Sequence, residues 1–125
     1  MGLDQYAWSR ENGEIFKDVE GAEPQFVWRK HSKLQEFMEQ KFTEKTGLEA
    51  GELNCGELEL DTVDVAELEH CIENKCMPIS PGGFFYGHQF QDESEEEYRD
   101  QDIMFVEWAK RELAEGNTVI YSCWW

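Results

Sequence analysis

Hydrophobic and polar positions change their spacing several times along the chain, and each spacing predicts an element. Tyr6 and Trp8 alternate with smaller side chains in residues 4–10, the two-residue period of a strand with its aromatics on one face. Asn12-Gly13 follows, a pair that tolerates positive φ and signals a hairpin, with Ile15-Phe16 as its return strand. Residues 18–24 are polar, contain Gly21 and Pro24, and read as a loop. Gln25-Phe26-Val27-Trp28-Arg29 reads as a further strand.

The period then lengthens. Leu34, Phe37, Met38 and Phe42 fall on one helical stripe. Ser32 with Gln35 has the spacing of a capping box that would open this helix, and Gly47 is placed to stop it. Leu58 and Leu60 alternate with Glu57 and Glu59, predicting a short half-exposed strand. Asp61 or Thr62 caps a second helix whose buried stripe is Val65, Leu68, Cys71 and Ile72, with Asn74 near its end and Pro78 and Pro81 beyond it. Gly82 to Gly87 brackets an aromatic run. Ser94 with Glu97 suggests another capping box, ahead of a helix carrying Tyr98, Phe105, Ala109 and Leu113 and ending at Gly116-Asn117. Residues 118–124 are β-branched and aromatic, a terminal strand. Paired early strands with isolated helices predict an α+β fold, a mainly antiparallel sheet of about 4–5 strands with about three helices mostly on one face. The length of 125 residues predicts one domain, 1–125.

Charge narrows what such a domain can bind. Eleven Lys and Arg stand against 28 Asp and Glu, for a net charge of −17. Phosphate backbones and anionic membranes repel that surface, which argues against direct nucleic-acid or membrane binding. The same charge suits a solubility adaptation, or a surface that imitates DNA to block a nucleic-acid enzyme. No run reaches the length of a membrane span, and the first residues lack the pattern of a signal peptide. The four cysteines then read as reduced thiols of an intracellular protein.

Candidate chemistry is sparse. Cys71-x4-Cys76 has the spacing of half a zinc site, but no second pair matches it, so no metal or other cofactor is expected. Cys55 with His31, His70 or His88 and a carboxylate could in principle make a small enzyme, although no spacing ties a given histidine to Cys55. Gly83, Phe84, Phe85 and Tyr86 do not fit a phosphate loop, because the glycines lead into aromatics and the next helix is headed by carboxylates. They read as a buried strand after a turn or as an aromatic contact loop. Trp28, Arg29, Lys30 and His31 form a basic island where a strand becomes a helix, a place where backbone N–H groups can meet an anion. Trp125 is either tied into the core or an interaction anchor.

Five segments together resemble a family of small proteins of tailed phages and some bacteria. They are Met1-Gly2-Leu3-Asp4-Gln5-Tyr6, Trp28-Arg29-Lys30, Cys55-Gly56-Glu57, Gly83-Phe84-Phe85-Tyr86-Gly87 and Tyr121-Ser122-Cys123-Trp124. Some members carry the label phosphoglycerate kinase, which this chain contradicts, since such kinases are two-domain enzymes roughly three times its size. The resemblance implies a phage origin and a host-cytoplasm setting, and no chemistry. The expected function is that of a non-enzymatic phage accessory protein. It would bind a host protein or a small anionic ligand through residues near Trp28 to His31, Cys55, Gly83 to Tyr86 and Trp125. The alternatives are an acidic DNA mimic and a small cysteine or histidine enzyme.

Overall fold

The computed structural model describes residues 3–10, 25–78 and 91–124. The predicted hairpin at Asn12-Gly13, the return strand at Ile15-Phe16, the 18–24 loop and the Gly82 to Gly87 run lie outside those residues. Four strands are described: β1 (Asp4–Arg10), β2 (Phe26–Arg29), β3 (Glu57–Leu60) and β4 (Thr118–Trp124). Four helices accompany them: α1 (Ser32–Thr46), α2 (Thr62–Glu73), α3 (Gln91–Glu97) and α4 (Arg99–Ala114), with a 3-10 turn at Ala50–Leu53. The strands form one sheet in the order β2-β1-β4-β3, and every neighbouring pair is antiparallel. This is the α+β architecture that the alternating periods predict.

Register decides which side of the sheet faces the helices. Gln5 lies opposite Trp28 on one side and Cys123 on the other, and Ala7 lies opposite Phe26 and Tyr121. Leu58 and Leu60 continue the same face on β3, opposite Tyr121 and Val119. These side chains pack with Leu34, Met38, Leu68, Phe105 and Ala109 of the helices in one buried cluster. Phe26, Trp28, Phe105, Trp108 and Tyr121 interlock there, with ring centroids 5.1–6.4 Å apart. Tyr6 and Trp8 do share a face, as their period requires, but it is the face turned away from this core, where both are half-buried.

The helices begin and end for different reasons. At α2, the Asp61 side chain accepts from Asp64 N–H at 2.8 Å, while Asp64 accepts from Asp61 N–H at 3.1 Å, a reciprocal capping box. α1 stops at Gly47, whose φ of 76° is open to a residue without a Cβ. Its start differs from the expected Ser32 cap. The N-cap is His31, no side chain caps the helix, and Ser32 is buried. Gln35, the expected partner in that box, is drawn instead into the core, where it meets Tyr121 and Cys123. The expected Ser94 box is also absent: Ser94 lies within α3, and its carbonyl accepts from Tyr98 N–H at the break before α4.

Both sheet edges are covered by side chains from the helices. Along β2, Gln101 donates to the Val27 carbonyl at 2.7 Å, and the Tyr98 hydroxyl accepts from Arg29 N–H at 3.1 Å. Along β3, the Lys45 ammonium donates to the Glu59 carbonyl at 2.6 Å, and Glu57 and Glu59 add charge. Occupied and charged edges resist pairing with another chain. Among the described residues, no helix is long and apolar enough to cross a membrane.

Candidate functional site

The end of β2, the start of β1, the end of β4 and the turn before β3 converge at one end of the sheet. Asp4 lies opposite Arg29 on one side and Trp124 on the other, and Cys55 N–H donates to the Cys123 carbonyl at 2.8 Å. The topology therefore gathers Trp28, Arg29, Lys30, His31 and Cys55 at this end, with Cys55 at the edge opposite Arg29. Gly83, Phe84, Phe85, Tyr86 and Trp125 lie outside the described residues, as does His88.

The gathered residues divide by which side of the sheet they take. On the helix side, Trp28 and His31 are fully buried. The His31 ring meets Asp102 at 2.7 Å through Nε2, and the other Asp102 oxygen accepts from Trp28 Nε1 at 2.8 Å. His31 also stacks on Tyr98, with centroids 5.4 Å apart. Its backbone N–H donates to Gln5 Oε1 at 2.8 Å, and Gln5 Nε2 donates to the His31 carbonyl and to the Tyr121 hydroxyl. Tyr121 donates onward to Gln35 at 2.5 Å, and Gln35 reaches Cys123 Sγ at 3.4 Å. These links tie the base of α1 to all three strands beneath it. A His–Asp pair can move protons, but this one is closed to solvent and its carboxylate is satisfied on both oxygens, which makes it a structural tie.

On the opposite side, Ile120 is buried and Tyr6 and Trp8 are half-buried farther along the strands, but the side chains at this end are exposed. Trp124 is 59% exposed and Val27 is 49% exposed. The Arg29 side chain is 70% exposed, and among the described residues its ion pairing is a loose 3.8 Å approach to Asp4. Such pairs contribute little, so the guanidinium is free to take another partner. Lys30 beside it is exposed and sits at φ 55°, while Cys55 sits at φ 63°. Non-glycine residues in this left-handed region cost on the order of 1 kcal/mol each and gather where structure serves function. Gly56 follows Cys55 because a Cβ there would stand 2.9 Å from the Glu52 carbonyl oxygen. The Cys55 thiol is exposed and donates to Asn54 Oδ1 at 3.7 Å. Anion binding at the base of α1 is poorly served. Lys33, in the first turn, is nearly buried and already held by Asp92 at 2.8 Å and Glu95 at 3.3 Å.

Several depressions lie on the helix layer, and two of them flank α1. One, of about 450 Å³, runs along α1 past Glu36, Glu39, Glu44 and Ala50. Burial raises the Glu39 carboxyl to about 7, Glu36 pushes the same way, and a hydrogen bond with Gln35 offsets them only in part. The other, of about 700 Å³, lies between α1 and α2 and is lined by Phe37, Lys41, Val63, Ala66, Cys71 and Cys76. Sequence reasoning missed Gln5, Glu39 and Asp102. Only Asp102 left a trace, because it shares the stripe of Tyr98, Phe105 and Ala109, where a carboxylate needs a buried partner.

Against known proteins, the chain matches no family model, no curated protein and no solved structure.

Proposed function

We propose that the chain is a non-enzymatic binding protein, a phage accessory protein of the host cytoplasm, that recognises a host protein through the open corner of its sheet. The observation that carries this reading is the exposure of Trp124 and Arg29 on either side of Asp4, with Val27 next to Arg29 along β2. Tryptophan and arginine are among the residue types that most often anchor protein interfaces, tryptophan by its large rigid area and arginine by its planar array of hydrogen-bond donors. The described acid–base pair, His31 with Asp102, is sealed from substrate, which supports binding over catalysis. Engagement of Lys33 by two carboxylates favours a protein partner over a small anion.

The test compares capture from host lysate by the wild-type chain, by Cys55→Ser, and by the double variant Arg29→Glu, Trp124→Ala. A partner held by the first two should be lost by the third. With the purified partner, loss of both anchors should weaken Kd by roughly 30-fold or more. A partner that binds the double variant equally well would sink the proposal. If that partner were a nuclease or polymerase, and binding vanished in raised salt, DNA mimicry by the acidic helices would replace it.

A further inference from the structure

A second site lies on the helix layer, away from the open corner. α2 ends in a turn where Cys76 N–H donates to the Cys71 carbonyl at 2.9 Å and Lys75 N–H reaches the Ile72 carbonyl at 3.4 Å, with Lys75 at φ 53°. This is the paired-bond ending in which the first and sixth residues of the turn are brought side by side, normally to make a hydrophobic contact. Here both positions are cysteine. A backbone hydrogen bond between them holds their α-carbons at a separation that a disulfide spans.

The surroundings keep the two thiols paired and reachable. Both line the depression between α1 and α2. Cys76 is exposed, Cys71 is half-buried, and both are free thiols. Met77, next in the chain, is buried in the core and pins the segment against α2. Burial pushes the Cys71 thiol up to about 11, and Cys76, hydrogen-bonded to it, pushes the same way; the Lys41 ammonium pulls it down.

We propose that Cys71 and Cys76 form a reversible disulfide, a modification site that takes hydroperoxides as its oxidant. The exposed Cys76 thiolate attacks one peroxide oxygen, the O–O bond breaks, and the departing hydroxide takes up a proton to become water. Cys76 is left as a sulfenic acid. The Cys71 sulfur then displaces that hydroxyl, which leaves with the Cys71 thiol proton as a second water. One hydrogen peroxide is reduced to two waters, and two thiols lose two electrons and two protons. The product ties the last turn of α2 to the chain leading into Met77 and changes the lining of the depression.

The experiment treats the full chain with hydrogen peroxide, blocks remaining thiols with N-ethylmaleimide and maps the products. Lys75 lies between the two cysteines, so tryptic cleavage there leaves two peptides held together only by the disulfide. With alkylation carried out after unfolding, the expected result is loss of two of the four thiols, a linked Cys71–Cys76 peptide pair that separates on reduction, and the same linked pair in Cys55→Ser. Cys76→Ser should keep Cys71 open to alkylation. Alkylation of both residues after oxidation, a bond between Cys55 and Cys123 in their place, or oxidation at Cys76 that reductant does not reverse would each overturn the proposal.

Discussion

Two connections in this fold do the same job by different means. Each carries the chain from a short edge strand directly into a helix. Between β3 and α2 the helix cap is local: Asp61 and Asp64, three residues apart, satisfy each other's backbone N–H groups, and Lys45 of α1 adds only an ion pair from outside. Between β2 and α1 nothing local serves. Lys30 takes a left-handed conformation, no side chain caps the helix, and His31 is fixed by Gln5 and Asp102, which are 26 and 71 residues away. The second connection exists only once the sheet and α4 are in place. The same arrangement turns Arg29 outward on one side while burying Trp28 and His31 on the other, so the open corner depends on the sealed network behind it.

Asp102→Ala breaks that dependence most severely. It leaves Trp28 Nε1 and the His31 ring without partners in the interior, and should cost about 3–5 kcal/mol in urea denaturation. A loss below about 1 kcal/mol would mean that the connection is not held from α4. Tyr121→Phe keeps the ring packing but removes the hydroxyl that bridges Gln5 and Gln35. It should cost about 1–3 kcal/mol and loosen amide exchange at the base of α1 before that of α2. Asp61→Ala removes the local cap and a loose, exposed ion pair with Lys45. About 1 kcal/mol is expected, with partner capture by the open corner unchanged. Reduced capture would show that the two connections communicate.

Glu39→Gln gives the smallest effect and sharpens the contrast along α1 itself. A carboxyl whose folded pKa is raised from the ordinary 4.5 to about 7 favours the folded state while protonated, and that advantage is lost as pH rises between those values. Because the group is partly open to solvent, the change should stay under about 1 kcal/mol. Melting at pH 8 should therefore improve in the variant, with little difference at pH 4. Equal shifts at both pH values would remove the carboxyl as the cause.

The elements that depend on near neighbours are legible in the amino-acid sequence alone. The alternation of β3, the stripe of α1, the Asp61 cap and the glycine that ends α1 all rest on residues a few positions apart. The expectations that fail do so for one physical reason. Ser32 with Gln35 has the spacing of a capping box, but a hydrogen bond from Tyr121, 86 residues away, claims Gln35. Ser94 has the look of a helix start, yet the chain is already helical there, and Tyr98 interrupts it to reach the backbone of β2. The candidate site is half legible in the same way. Charge marks Trp28 to His31 as unusual, but only the register shows that Trp28 and His31 point in while Arg29 points out beside Trp124.

The sheet order has a consequence for how the protein is made. Of the described strands, the middle two are β1 and β4, the first and the last of the four in chain order, and they are joined over seven residue pairs from Asp4 with Trp124 to Arg10 with Thr118. A nascent chain halted anywhere before Thr118 lacks the strand with which both β1 and β3 pair, so β3 has no partner and β1 has only β2. Closing so long a loop is slow and unrewarded until it is complete. The four-stranded sheet can therefore close only after β4 has been made and has cleared the exit tunnel.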